Sequence, residues 1–402
     1  MAILRKPLSL LAAGILSTAL ALAQVPKPGP VAIGVIADTQ SMMASLGGAG
    51  LGVAAQIAID DFGGNLLGQR IQFKAADHQN KPDVGSALAR EWYDSGTDLM
   101  LVGSNSAVGL AVNNLAKEKN GLMILLDAIS DRLVEEDCNG RGMTWLWSAY
   151  SIVNVVTGGP LKSGVKTWYT LGVDNVGGRT WDDMAKQLVG ATGGKVISAF
   201  HPLDERDYSS HLLKAQASGA QALMITNAGA NLTTEMKQVK EYKIASKGME
   251  IYLHTGFISD IHGAGLEPFS GTQFTTAWYW DLDERTRAFA KKYFAKQNAM
   301  PTMSQAAAYS ATLHYLKAVQ AAGTKDPEKV AAKMREMPVV DAFTKGGTLW
   351  PNGRMVHEMY RVQVKTKAES KYPWDYYKVL EEVPANVAFQ PLSASRCPLV
   401  KK

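Results

Sequence analysis

Short, wholly apolar runs alternate with longer stretches whose apolar residues recur at helical spacing. Residues 31–37 (VAIGVIA) form an uncharged β-branched run, which predicts a strand buried on both faces. Residues 50–61 follow with apolar positions three and four apart, a helix. Strands are then expected at 71–76, 99–102 and 122–126, and helices at 82–93, with Pro82 in the first turn, and at 107–119. Strand and helix in strict alternation mean right-handed crossovers and a parallel sheet with helices on both faces.

The rhythm then restarts. Strands are predicted at 167–171, 196–200, 222–226 and 251–253, with helices at 179–189, 208–218 and 232–242 between them. After a strand at 273–277 come three helices, 284–297, 305–322 and 327–337. Strand character returns at 360–364 and 376–380. Two successive α/β halves without a Pro/Gly/Ser-rich linker imply two lobes joined by several short crossings. The expected division is 24–147 plus 277–350 for the first lobe and 148–276 plus 351–402 for the second.

The extreme N-terminus breaks this pattern. Arg5 and Lys6 precede an uncharged apolar stretch, 8–20, and Ala21, Leu22 and Ala23 then supply a small-x-small site. Residues 1–23 therefore read as a secretory signal, with Gln24 the mature N-terminus. The apolar stretch is shorter than the about 20 residues a membrane span needs. Without the signal the formal charge falls from +5 to +3. So small a charge, with no Lys/Arg block, disfavours nucleic acid and anionic membrane as partners. The chain has only two cysteines, Cys138 and Cys397, and in an exported protein these are expected to form one disulfide. The seven histidines have no metal-ligand spacing, so neither a metal nor a cofactor is expected.

Parallel sheets place ligands at the carboxyl ends of their strands. Three loops qualify in the first half. One runs from Asp38 to the glycine-rich Gly47, Gly48, Ala49 and Gly50. A second holds Gly103, Ser104, Asn105 and Ser106, and a third Asp127, Ala128, Ile129, Ser130 and Asp131. Hydroxyls beside the free N–H groups of a helix start suit a carboxylate or carbonyl oxygen; simple helix capping by Ser104 or Asn105 is the competing explanation. The glycine-rich loop matches neither GxGxxG nor a P-loop, and there is no GxSxG elbow. Asp60 with Asp61, and Asp182 with Asp183, read as solvated helix faces. Aromatic clusters at Trp145, Trp147 and Tyr150, and at Trp278, Tyr279 and Trp280, fall where one lobe hands over to the other.

Taken in order, these marks resemble the leucine/isoleucine/valine-type periplasmic binding proteins of ABC transporters. They are the opening strand; the helix ending near Gly63, Gly64, Asn65 and Gly68; Asp77; the segment 103–107; and Ser130, Asp131, Arg132 and Leu133. The series continues with Asp174, Asn175, Val176 and Gly177, then with residues 274–280 ahead of 286–289. The ending 391–400, with Cys397, resembles a subgroup of the family. The resemblance implies two Rossmann-like lobes joined by a three-strand hinge and closing on a small ligand. It implies a monomeric periplasmic protein without catalytic activity that delivers its solute to an inner-membrane permease. It also implies that Ser104, Asn105, Ser106, Ala128 and Ile129 hold a ligand carboxylate, with Asn175, Asn227, Thr255 and Phe257 completing the site and Trp280 offering an apolar wall.

Two departures bear on the ligand. Asn175 stands where the family has tyrosine, and residues 254–257 contain no acid to neutralise an ammonium. A carboxylate, amide or aromatic acid is therefore expected rather than a branched-chain amino acid, unless Asp38 or Asp260 takes the ammonium. A ligand sensor of the same fold and a secreted α/β enzyme are the rival readings.

Overall fold

The computed structural model describes residues 29–41 and 43–401. The expected signal segment and Gln24 lie outside them. The chain folds into two α/β lobes. The first is built on a five-stranded sheet in the spatial order 72–77, 32–37, 99–102, 122–125, 142–144, with all neighbours parallel. Its central strands, Ala32–Ala37, Leu99–Val102 and Leu122–Leu125, are buried along their whole length, as their unbroken apolar sequences require. Helices α1 (Gly50–Phe62), α2 (Pro82–Asp94) and α3 (Ser106–Glu118) follow the strands.

The chain enters the second lobe at Trp145–Ser148 and begins α4 (Ala149–Lys162). Its β-branched residues Ile152, Val153, Val155 and Val156, with Gly158, Gly159 and Pro160 inside the helix, read against a helix. Its N-terminus is fixed by a capping box between Ser148 and Ser151. The second sheet has seven strands in the order 377–383, 359–364, 273–276, 250–255, 222–226, 167–173, 195–201. The five strands between 167 and 276 are parallel, and the last two add antiparallel at the edge. Helices α5 (Val176–Ala191), α6 (Ser209–Ala217), α7 (Gly229–Glu241) and α8 (Ile258–Ala264) cover it.

Residues 277–280 cross back, and α9 (Glu284–Gln297), α10 (Met303–Ala322) and α11 (Pro327–Glu336) complete the first lobe. Gln305 Nε2 on α10 donates to Gly47 O at 2.8 Å, and Thr302 Oγ1 donates to Leu46 O at 2.6 Å, so α10 braces the loop that follows the first strand. A third crossing runs through His357. This buried ring lies 2.8 Å from Leu146 O in the first crossing and 2.7 Å from Glu358 O in its own, so it ties two crossings together. After the last strand, Ala385–Ala388 rests on α4, where Asn154 Nδ2 donates to Val387 O at 2.7 Å. The tail then returns to the first lobe. There Ser395 Oγ and the Arg396 N–H both donate to Glu135 Oε2, and Cys397 is bonded to Cys138. The expected disulfide is present.

The acidic pairs are not alike. Asp61 bonds Lys292 and Tyr309 near the surface, whereas Asp182 is 2% exposed rather than solvated. Its oxygens accept from Thr170 Oγ1 and Ser198 Oγ on the sheet beneath and meet Lys186 one turn along.

Candidate ligand cleft between the lobes

The carboxyl ends of both sheets face the gap between the lobes, and the loops there touch across it. Ser45 Oγ donates to Asp260 Oδ1 at 3.0 Å, and Ser259 Oγ donates to Ser45 O at 2.7 Å. Gly177, in the first turn of α5, lies so close to Ile129 that an added Cβ would sit 3.1 Å from Ile129 Cδ1. The two lobes are thus in contact across the gap.

The first-lobe wall is a set of donors. Asn105 caps α3, its Oδ1 accepting from Ala107 N–H at 2.8 Å and Val108 N–H at 3.0 Å, while its amide group reaches Asn80. The capping explanation therefore holds for Asn105. It does not absorb the whole loop. Ser104 Oγ is buried without a partner, and the N–H groups of Ser106, Ala128 and Ile129 find no acceptor among the described residues. Hydrogen bonds join strands 99–102 and 122–125 side by side, which brings the two loops together. Unmatched donors at a helix start favour an acceptor oxygen, charged or neutral.

The second-lobe residues are placed differently. Asn175 is exposed at the rim, its Oδ1 capping α5 through Gly178 N–H at 2.9 Å. Asn227 is buried, its amide donating to Tyr208 Oη at 3.2 Å and Glu235 Oε2 at 3.1 Å. Thr255 Oγ1 donates to Thr275 O at 3.0 Å. These polar groups serve the second lobe itself. Phe257 meets Trp147 edge-on at 6.0 Å between ring centroids, so the first crossing and the start of α8 form an apolar wall. Trp280 stands with Phe257, Gly256, Met303 and Tyr377 around a small cavity, and its Nε1 donates to Trp374 O.

Sequence reasoning left two acids open, and the structure separates them. Asp38 is consumed by its own turn, accepting from Gln40 N–H, Ser41 N–H and Ser41 Oγ. Asp260 is 6% exposed, reaches across to Ser45, and keeps Oδ2 without a partner. Burial pushes its carboxyl up to about 6, while the Ser45 hydroxyl and the Gly229 N–H pull the other way. His254, packed at a tilt against Trp181 with ring centroids 4.8 Å apart, is pushed down to about 4 by burial and is neutral at pH 7. Ser45, Gly177 and Trp147 were not named as site residues, because only the packing of one lobe on the other gives them a role; Asp260 was named only as a possible partner for an ammonium.

The model of a family described as periplasmic binding protein matches residues 30–370. The chain belongs to that family. It is a two-lobed solute-binding protein, and the matched span includes both walls of the cleft. Among solved structures, a periplasmic binding protein from Burkholderia mallei is 40% identical, with a TM-score of 0.87 over 92% of this chain and 99% of that one. A branched-chain amino acid ABC transporter periplasmic ligand-binding protein from Burkholderia xenovorans is 41% identical, with the same TM-score and coverage. A solute-binding protein from R. palustris in complex with benzoate shares the fold, with a TM-score of 0.80 over 92% of this chain and all of that one, at 17% identity. None of the curated proteins matches the chain.

Proposed function

We propose that this protein is the solute-capturing component of an ABC importer. It is exported with residues 1–23 removed, acts as a monomer in the periplasm, and carries a small solute unchanged to an inner-membrane permease. The solute has a carboxylate or carbonyl end, held on the first lobe by Ser106, Ala128 and Ile129 with Ser104 beside them. Its apolar or aromatic body lies against Phe257 and Trp147. The observation that carries this reading is the group of first-lobe N–H donors without acceptors among the described residues, beside loops of the two lobes that touch each other.

A second reading, a branched-chain amino acid, is favoured by the unpaired Asp260 Oδ2, which supplies the acid that residues 254–257 lack. It is also favoured by the name of the B. xenovorans protein. The lobe division expected from the sequence, 24–147 plus 277–350 against 148–276 plus 351–402, belongs to the same proposal with one correction, that the tail at 395–397 is held by the first lobe; Asn175, Asn227, Thr255 and Trp280 support the second wall.

Calorimetry against leucine, benzoate and benzamide tests it. At least one is expected to bind at about micromolar or better, roughly 8 kcal/mol, and to be recovered chemically unchanged. Ser106→Ala is expected to weaken that binding about tenfold. Leucine bound over benzoate selects the second reading. Binding of a simple amine in preference to every carboxylate and amide would contradict both.

A further inference from the structure

Ser104 is held in a conformation that a serine does not choose. Its φ is +66°, in the left-handed region, which an L-residue keeps only where its surroundings impose it. No helix end accounts for it, since the cap of α3 is the next residue, Asn105, in extended backbone. What holds it is a side chain from the loop after the neighbouring strand. Asp127 Oδ1 accepts the Ser104 N–H at 2.5 Å.

Asp127 is 4% exposed and wedged among the loops that form the first-lobe wall. A Cβ on Gly47 would lie 3.0 Å from its Oδ2, and one on Gly103 would lie 3.6 Å from its Oδ1. On the other side of the turn, His78 Nε2 lies 2.8 Å from Gly103 O. With the Ser104 N–H turned down onto Asp127, the N–H groups of Ser106, Ala128 and Ile129 stand nearby without an acceptor among the described residues.

We propose that Asp127 is the positioning residue of the solute site: by fixing Ser104 in its left-handed turn it presents the first-lobe donors preassembled, without touching the solute itself. The proposal rests on the solute-binding reading above. A preformed donor set needs no ordering when the solute arrives, which is where preorganisation gains affinity. Burial pushes the Asp127 carboxyl above the usual carboxylate range, and the Ser104 N–H pulls the other way. The function asked of Asp127 is therefore that of an acceptor oxygen, which an asparagine also supplies.

The experiment pairs amide hydrogen exchange of the whole mature protein with calorimetry, on wild type, Asp127→Ala and Asp127→Asn. The exchange arm needs no solute. The Ser104 amide is expected to be protected in wild type and Asp127→Asn, and to exchange at least tenfold faster in Asp127→Ala, with amides of the second sheet unchanged. The calorimetry uses whichever of leucine, benzoate or benzamide the wild type binds. Asp127→Ala is expected to lose about tenfold or more in affinity, and Asp127→Asn to stay within about threefold. An unprotected Ser104 amide in the folded wild type overturns the proposal even if Asp127→Ala does not fold. So does an affinity loss in Asp127→Asn as large as in Asp127→Ala. Failure of all three probes to bind counts against the solute reading alone, because the Ser104 exchange result still stands or falls by itself.

Discussion

Ser45 and Asp260 stand 215 residues apart in the chain and meet across the cleft at 3.0 Å, hydroxyl to carboxylate. They lie on opposite lobes, so the bond spans the cleft. Ser259 Oγ, donating to Ser45 O, doubles the link. The pair is a latch made from two loops.

The latch gives closure a pH dependence. Asp260 is buried against Ser45, the Gly229 N–H and the Tyr377 phenol. Its carboxyl rises from an ordinary 3.8 to about 6. A raised pKa favours the buried state below about pH 4, and that advantage is lost as pH climbs through 6. Scattering from the solute-free protein should therefore show a more compact ensemble at pH 4.5 than at pH 7. Asp260→Asn should flatten the difference. An opposite trend would mean that Asp260 is ionised and paired in the closed form.

Gly177 and Ile129 offer a steric test. The 3.1 Å clearance left for a Cβ at Gly177 is tighter than ordinary van der Waals contact. Gly177→Leu should wedge the lobes apart and weaken solute binding about tenfold or more. Its melting temperature should change little, because Gly177 is not buried in a lobe core. A variant with wild-type affinity would place the closed contact elsewhere.

The Cys138–Cys397 bond closes a loop with a sequence separation of 259. In the chain-entropy model such a closure stabilises by up to about 5 kcal/mol, with native strain reducing it. It also anchors a tail that crosses behind the hinge, from α4 to Glu135. Cys138→Ala with Cys397→Ala should lower stability by roughly 2–5 kcal/mol in denaturant titrations, and peptide mapping without reductant should recover the linked pair from wild type. Unchanged stability would show that hydrogen bonds alone hold the tail.

Glu235 lies wholly buried on α7, with only the Asn227 amide on Oε2, and burial pushes its carboxyl up to about 8. The folded protein then holds a proton that the unfolded chain releases near 4.5. Stability from this group is complete below about pH 4.5 and is lost as pH rises to 8, by at most about 1.4 kcal/mol per unit. Glu235→Gln should remove that slope and match or exceed wild-type stability at pH 8. A wild-type stability that climbs through this range relative to Glu235→Gln would contradict the assignment.

The strands were legible because parallel strands covered on both faces carry unbroken apolar runs; Leu99–Val102 and Ala222–Thr226 fall where their sequences place them. Helix α9 falls where its sequence places it, over 284–297. Helix α4 was not legible, since its β-branched run and its internal Gly158, Gly159 and Pro160 argue against a helix and its capping box uses Ser151 in place of an acid. The Ser104–Ser106 loop was legible because strand ends and a helix start are local features. Asp260 and Gly177 gain their roles only when the lobes meet, and Asp127 gains its role through a bond to a neighbouring strand's loop, relations that no local pattern encodes. Asp182 was misread for the same reason, because its partners Thr170 and Ser198 come from two adjacent strands.

Capture by closure predicts a change of shape on binding, which small-angle scattering on the protein with and without its solute reads. The solute is first identified by native mass spectrometry of protein taken from cells, then stripped and added back. A smaller radius of gyration at unchanged mass, with the solute recovered intact, is the predicted result. Full occupancy with no compaction, or recovery of a converted product, would contradict it.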